Sequence, residues 1–222
     1  MNASLCLQKV NAFLFPETCY VCFDEVKTSS LRLCECCTEN LHTLTKEERF
    51  HFQNTYLNNI SSAYIQYNFT NEIQQLIHKI KYENGKKLAE SLGYSLAVAF
   101  PEISEYDILI PCPLHPKKKK EREYNQAFHI CKGIQKKYPL VIDQEIVRRA
   151  KYTQTQTKLS KAERAKNLKD VFLSINKSEY KKALLVDDVS TTGTTFNNIA
   201  ESIKKKNIHL EISCVAIATP LL

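Results

Sequence analysis

Two adjacent carboxylates, Asp187 and Asp188, follow an apolar run that begins at Ala183. Hydroxyl side chains then cluster around Gly193 and lead into a helical pattern. Such a turn can direct backbone N–H groups and hydroxyls at a phosphate, and a helix N-terminus adds favourable partial charge. Because two acids would repel the phosphate, they must contact something else, either the cis hydroxyls of a ribose or a Mg²⁺ ion. The segment therefore predicts a site for a ribose 5-phosphate.

Four cysteines near the N-terminus form two CxxC pairs, Cys19 with Cys22 and Cys34 with Cys37. Two such pairs supply four thiolates for a tetrahedral Zn²⁺ site, which can contribute the folding energy of a small ribbon module. Cys36 is an alternative fourth ligand, although the CxxC spacing favours Cys37. No coordination position is left open, so we expect a structural metal. The other cysteines lie in apolar or helical contexts and are interpreted as small core residues: Cys6, Cys112, Cys131 and Cys214.

The positive charge of the chain is concentrated in one segment. The 222 residues carry a net charge of +7, whereas residues 111–170 alone contain 16 basic and 6 acidic residues, a net charge of +10. Clustered cations are typical of a phosphate site, of a nucleic-acid surface, or of a solvated face that only keeps a protein soluble. Tyr124, Tyr138 and Tyr152 lie among the cations and could stack on unpaired bases.

The composition excludes several classes of protein. Four scattered glycines cannot build a GxGxxG or GxxxxGK[ST] loop, which disfavours dinucleotide-binding and P-loop enzymes. No apolar run approaches the ~18 residues that a membrane span needs. The N-terminus has no cationic start of the kind that a secretory signal has, so we expect a cytoplasmic protein.

Strands and helices alternate after the cysteine pairs, which predicts an α/β fold with a mostly parallel sheet flanked by helices. This order places Asp187 and Asp188 at the carboxyl end of a strand, where open α/β sheets bind ligands. We expect a zinc-ribbon module over 1–45 and an α/β domain over 46–222. The predicted strands are 60–69, 107–111, 171–175, 183–187 and 211–218, and the predicted helices are 73–80, 86–100, 124–137 and 194–206.

The segment LLVDDVSTTGTTF, residues 184–196, resembles the PRPP-binding motif of type I phosphoribosyltransferases. The resemblance implies a type I phosphoribosyltransferase-like sheet and a site for PRPP with Mg²⁺. It implies that Asp187 and Asp188 are the catalytic candidates and bind the ribose hydroxyls. It also implies that residues 190–195 bind the 5-phosphate. The PRPP-binding set that it implies at this motif is Asp187, Asp188, Val189, Ser190, Thr191, Thr192, Gly193, Thr194 and Thr195.

Two further segments resemble the ComF family of competence proteins. IPCPLHPKKKKEREYNQA, residues 110–127, is similar to that family's P-x-P-L-H…R-G-F-N-Q-A element. RAKYTQTQTKLSKAERAKN, residues 149–167, is similar to its R-x-R-x-T-x-x-Q-x-x-L-S…R-x-x-N element. With the CxxC pairs, the resemblance runs from about residue 16 to the C-terminus. It departs at Glu123 and Tyr124, where the family usually has Gly-Phe.

The basic residues are expected around a diphosphate. Lys117 and Arg122 follow the strand predicted at 107–111. Lys79 and Lys81, at the end of the first predicted helix and just after it, could also reach the ligand. For these two lysines a solvated helix face is the alternative. Residues 148–167 would form a flexible loop that closes over the site and excludes water. The candidate residues of this loop are Arg149, Gln156 and Arg164.

The resemblance implies a PRPP-binding protein that handles imported single-stranded DNA during natural transformation, with a competence helicase or recombination proteins as further partners. An enzymatic reaction would displace pyrophosphate from C1 of PRPP, a pentosyl transfer. No residue identifies the acceptor nucleophile, so enzymatic turnover is left open. Two alternatives also stay open: a nucleobase-salvage phosphoribosyltransferase, and a non-catalytic PRPP sensor that regulates a partner.

Overall fold

The helices and strands are defined in a computed structural model that describes residues 18–26, 31–114, 116–149, 172–174 and 179–220. The helices are α1 (Glu35–Glu39), α2 (Lys46–Tyr56), α3 (Asn71–Tyr82), α4 (Lys86–Ala99), α5 (Pro116–Arg122), α6 (Gln126–Gln135) and α7 (Thr194–Lys204), with a 3-10 helix at Pro101–Glu105. The strands are β1 (Ala63–Asn68), β2 (Ile108–Pro111), β3 (Val141–Ile142), β4 (Val147–Arg149), β5 (Phe172–Ser174), β6 (Lys182–Val189) and β7 (Glu211–Thr219).

Five of the strands form one parallel sheet in the order β1-β7-β6-β2-β3. β6 lies at its centre, hydrogen-bonded to β7 on one side and β2 on the other. The stretch from Ala183 to Val186 is fully buried, as expected for a strand covered on both faces. The predicted α/β fold with a mostly parallel sheet flanked by helices is therefore confirmed.

Helices cover the two faces of the sheet. α3, α4 and α6 pack on one face together with the cysteine segment, residues 18–26 and 31–41. α2 and α7 pack on the other face. The periodicity of α3 explains its orientation, because Ile73, Leu76, Ile77 and Ile80 are all buried. Within the described ranges, no helix is long and apolar enough to cross a membrane.

α4 and α6 are in close contact at two glycines. A Cβ on Gly93 would lie 2.1 Å from the carbonyl oxygen of Ile130, and a Cβ on Gly133 would lie 2.0 Å from that of Glu90. Neither position has room for a methyl group, so the two backbones pack directly against each other. Glu90 also pairs with His129 across the two helices, at 3.0 Å. This contact fixes α6 beside α4.

Some elements differ from the sequence-based expectation. α2 was not predicted, although Thr45 and Glu48 form a capping box at its start. α5 and the short strands β3 and β4 were not predicted either, since they are too short to show a periodic pattern. β5 falls within the strand predicted at 171–175, but it pairs antiparallel with β4 in a separate two-stranded ribbon.

Candidate functional site

The Sγ atoms of Cys19, Cys22, Cys34 and Cys37 all lie within 4.8 Å of one another. Those of Cys22 and Cys34 are 3.5 Å apart, close to the ~3.8 Å that two thiolates have on a tetrahedral Zn²⁺ with ~2.3 Å bonds. The backbone N–H groups of Val21 and Cys37 donate to the sulfurs of Cys19 and Cys34, each at 3.4 Å. The cluster could therefore hold a metal such as zinc.

The four thiols do not ionise equally. Burial opposes ionisation of Cys19, but backbone hydrogen bonds from Cys22, Cys34 and Val21 outweigh it and lower the pKa of Cys19 to about 6. Burial raises the pKa of Cys37, and hydrogen bonds with its neighbouring thiols raise it further. One thiolate therefore forms readily while an adjacent thiol keeps its proton. A divalent cation would stabilise all four thiolates together, which fits a metal-binding role.

Cys36 lies outside the cluster. Its side chain is exposed, and its sulfur is 3.9 Å from Nδ2 of Asn40. Cys34 caps α1, and the helical turn that follows directs Cys37 inward, where it is buried. Of the two cysteines that the sequence left as alternatives, the structure therefore places Cys37, and not Cys36, in the four-sulfur cluster.

The acidic pair lies at the carboxyl end of β6, in the centre of the sheet. Oδ2 of Asp188 is 3.1 Å from Nζ of Lys81 on α3, and the Asp188 side chain is only 6% exposed. Oδ1 of Asp187 accepts a hydrogen bond from the Asp188 N–H at 2.9 Å, and Oδ1 of Asp188 accepts one from the Val189 N–H at 2.8 Å. The structure thus brings together the predicted residues Asp188 and Lys81, which are far apart in the sequence.

Asp187 keeps its proton to a higher pH than an ordinary aspartate. Burial and the charge of Asp188 raise the pKa of Asp187 to about 7, while Lys81 and a hydrogen bond from the Cys112 thiol act in the opposite direction. Arg149 at the end of β4 is close enough to Asp187 for their charges to attract, although burial lowers the pKa of Arg149. The sequence identified Cys112 only as a core residue, and its contact with Asp187 is an addition from the structure.

The hydroxyl-rich turn between β6 and α7 is built around Gly193. This glycine has a φ of 62°, and a Cβ on it would lie 2.6 Å from Cδ2 of Leu57 and 2.8 Å from the carbonyl oxygen of Tyr56. Asn197 donates from Nδ2 to the same Tyr56 oxygen at 2.6 Å, so α2 holds the turn in place. α7 begins at Thr194 without a side-chain cap. Four threonines around the glycine are exposed: Thr191, Thr192, Thr194 and Thr195.

Two predicted cations are partly or fully buried. Arg122, at the end of α5, is 8% exposed, and its guanidinium lies 5.5 Å from the ring centroid of Tyr82, the neighbour of Lys81. In the part of the chain that the structure describes, the Nε atoms of Arg122 and Arg149 are buried without a hydrogen-bond partner. A buried donor without an acceptor costs roughly 1–3 kcal/mol. An anion that accepts a hydrogen bond from either Nε atom would recover that energy.

The structure places the other predicted residues as follows. Lys117 is exposed on α5. Lys79 faces away from the acidic pair, because its Nζ is 3.0 Å from Glu83 and 5.8 Å from the ring centroid of Tyr20 in the cysteine segment. Tyr124 is buried and donates its hydroxyl to the carbonyl oxygen of Ile80, so it offers no free face for base stacking. Gln156, Arg164 and Tyr152 lie outside the described residues.

Comparisons with known proteins connect the chain to competence proteins. No family model matches it. Competence protein F of Haemophilus influenzae is 32% identical over 142 residues, which are 60% of this chain and 62% of that protein. DNA utilization protein YhgH of Escherichia coli K12 is 28% identical over 135 residues, 58% of this chain and 60% of that protein. Competence protein ComFC of Bacillus subtilis is 20% identical over 206 residues, 89% of this chain and 82% of that protein.

The match to the first of these relatives is partial, since the chain spans about three fifths of their length. The match to the Bacillus subtilis protein is longer but less similar. Together the names of these relatives support the resemblance to the ComF family that the sequence motifs indicated.

We predict that Cys37→Ser removes bound zinc, whereas Cys36→Ser retains it. Cys37 belongs to the four-sulfur cluster, and Cys36 lies outside it. Metal analysis of the purified variants should find about one zinc per chain for the wild type and for Cys36→Ser. Cys37→Ser should also unfold at a lower temperature. Equal zinc content in the two variants would contradict the assignment.

We also predict that Asp187→Asn stabilises the ligand-free protein in a pH-dependent way. The raised pKa means that folded Asp187 keeps its proton to about pH 7, whereas an unfolded aspartate loses it near 3.8. Wild-type stability therefore falls as the pH rises between these values. Asp187→Asn removes the charge and should raise the free energy of unfolding relative to the wild type. This gain should be larger by roughly 2 kcal/mol at about pH 8 than at about pH 5.5.

Urea unfolding without PRPP or Mg²⁺ measures this effect. Glu102→Gln, which removes an exposed acid from the 3-10 helix, is the control for the loss of a carboxylate away from the acidic pair. The same gain for Asp187→Asn at both values would contradict the raised pKa.

Proposed function

We propose that this chain binds PRPP with Mg²⁺ at the carboxyl end of β6 and acts on single-stranded DNA during natural transformation. One observation carries the ligand assignment: an acidic pair, of which Asp188 is buried and held by Lys81, is followed closely by exposed threonines and the start of α7. The role in transformation is supported by the names of the relatives, which are competence and DNA utilization proteins. Four cysteines in one cluster would hold a structural zinc.

The acidic pair suits a ribose. Asp187 and Asp188 accept hydrogen bonds from backbone N–H groups with one oxygen each, which holds the carboxylates in place for a ligand. Vicinal hydroxyls of a ribose would donate to the remaining oxygens. The 5-phosphate would then lie against the turn around Gly193, where exposed threonine hydroxyls and the N-terminus of α7 supply donors.

The diphosphate of PRPP suits the cations on the other side of the acidic pair. Lys81 already contacts Asp188, and the buried Nε atoms of Arg122 and Arg149 are available as donors. Lys117 is exposed on the same helix that carries Arg122. Mg²⁺ bound with the diphosphate would supply further neutralising charge. Gln156 and Arg164 remain proposed members of a loop that closes over this side.

If the protein turns over PRPP, the residues position the reaction rather than supply the nucleophile. An acceptor would form a bond to C1 as the bond from C1 to the diphosphate oxygen breaks, and the diphosphate would leave with the electron pair. The acidic pair would hold the ribose in place, and Lys81 and Arg122 would stabilise the charge of the departing diphosphate. The two alternative functions differ from this proposal in this step. In nucleobase salvage the acceptor would be a nucleobase, and in a PRPP sensor the step would not occur.

We predict that Asp187→Asn with Asp188→Asn weakens PRPP binding by roughly 100-fold, since it removes two charged acceptors of the ribose hydroxyls. Titration calorimetry with PRPP and Mg²⁺ measures the affinity. The matched control is Glu102→Gln with Glu105→Gln, two acids in the 3-10 helix that precedes β2. Unchanged affinity in the Asp187 and Asp188 variant would refute the site.

A pyrophosphate-release assay with each nucleobase then separates the related functions. Release with one base supports salvage. Binding without release, under conditions in which the protein also binds DNA, supports the proposed role.

We predict that the lysines of α5 contribute to DNA binding. Lys118→Gln, Lys119→Gln and Lys120→Gln together should weaken binding of a labelled oligo(dT), because each lysine that pairs with a phosphate releases a counterion. Fluorescence anisotropy across a salt series measures the slope of log affinity against log salt concentration. The magnitude of this slope should be smaller by about 2 for the triple variant than for the wild type. The control removes Lys204, Lys205 and Lys206 at the end of α7. An equal effect of the two triple variants would contradict a specific role of α5.

A further inference from the structure

Phe23 combines two features that do not favour folding. Its side chain is 67% exposed, so it contributes little to the core. Its φ is 66°, in the left-handed region that a bulky residue rarely adopts. The turn requires this conformation, because the Phe23 N–H donates to the Cys19 carbonyl at 3.1 Å and the Cys19 N–H donates to the Asp24 carbonyl at 2.7 Å. Glycine would fit this position without strain, and strain of this kind is typical of functional sites.

A cleft of about 310 Å³ lies between the cysteine segment and the turn that joins α3 to α4. Tyr20 lines it on one side and Lys79, Lys86 and Lys87 on the other. Nζ of Lys79 is 5.4 Å from the ring centroid of Phe23 and 5.8 Å from that of Tyr20. The cleft and the exposed phenyl ring therefore belong to one surface.

The charge of this cleft favours an anion. Among the described residues that line it, three are lysines and one, Glu83, is acidic. Glu83 is already paired with Lys79 at 3.0 Å, so Lys86 and Lys87 add a net positive charge. Lys87 is exposed, and α4 begins at Lys86 with its N-terminus towards the cleft. Backbone phosphates are the anions that such a surface suits.

The same surface continues towards α5. Nζ of Lys86 is 5.2 Å from the ring centroid of Tyr124, which lies two residues after Arg122 in the sequence. Arg122 lies over Tyr82, whose side chain is 59% exposed. The surface from Phe23 to α5 thus carries two exposed rings, Phe23 and Tyr82, among cations, the combination by which proteins bind unpaired bases and their phosphates without reading sequence.

We infer that the ring of Phe23 stacks on a base of single-stranded DNA, whose backbone passes along Lys86 and Lys87 towards α5. This inference rests on the proposed function and locates its DNA-binding surface. It replaces Tyr124 as the stacking residue, because that ring is buried. A duplex offers no free base face in its interior, so the surface selects single strands.

The sequence contains no tryptophan, which allows a direct test. Phe23→Trp introduces a single tryptophan, which can be excited at wavelengths that the tyrosines do not absorb, and stacking of a base on it should quench its emission when oligo(dT) is added. The matched control is Phe50→Trp on α2, since Phe50 is also 67% exposed. Quenching is expected for Phe23→Trp with the single strand, and little change with a duplex of equal length or in the Phe50→Trp protein.

A second variant separates stacking from folding. Phe23→Gly should weaken oligo(dT) binding by roughly 10-fold in fluorescence anisotropy. It should not lower the unfolding temperature, since glycine accepts the left-handed backbone. PRPP affinity and zinc content should equal those of the wild type, and Phe50→Ala should bind DNA normally.

The outcomes are distinguishable. If the wild type binds no oligo(dT) at low salt, the proposed role in DNA handling fails and this inference fails with it. If the wild type binds but Phe23→Gly binds equally well and Phe23→Trp is not quenched, the inference is overturned while the DNA role stands. Equal quenching by duplex and single strand would also overturn it, and would indicate contact with the backbone alone.

Discussion

The ion pair between Lys81 and Asp188 is the contact on which the candidate site depends. It joins the end of the central strand to α3, and so fixes where the first helix after β1 lies relative to the acidic pair. Two residues earlier on the same helix, Lys79 contacts the rings of Tyr20 and Phe23. α3 is therefore held at the acidic pair by Lys81 and at the cysteine segment by Lys79. The proposed PRPP site and the proposed DNA-binding surface both depend on the position of this helix.

The residues that the sequence identified are those whose signal is local. The acidic pair with its hydroxyl turn is contiguous, and the cysteine spacing identifies three of the four sulfurs and favours Cys37 over Cys36 as the fourth. From the sequence, Lys81 could not be distinguished from a lysine on a solvated helix face. Its partner Asp188 is more than a hundred residues away, so no local pattern indicates the contact. Arg122 was expected near the ligand, but its stacking on Tyr82 depends on how α5 packs. The left-handed backbone of Phe23 follows from the turn around Cys19 and has no sequence pattern.

Several unfavourable features lie on the surfaces proposed to bind ligands. Burial beside a second acid raises the pKa of Asp187, the Nε atoms of Arg122 and Arg149 are buried without partners among the described residues, and Phe23 is exposed on a strained backbone. Each feature lowers the stability of the free protein. A ligand of the expected chemistry would relieve the first two by supplying partners for the carboxylate and the guanidinium groups. The free energy recovered there would contribute to its affinity and, through mass action, to the stability of the complex.

Gly93 and Gly133, at the contact between α4 and α6, limit where residues can be inserted into or deleted from these two helices. Each glycine faces a backbone carbonyl of the opposite helix at a distance that leaves no room for a side chain. One inserted residue would rotate the rest of a helix by about 100° and turn a bulky side chain into the contact. Insertions and deletions in α4 and α6 should therefore be confined to their ends, and length variation among proteins of this architecture should occur in the loops instead.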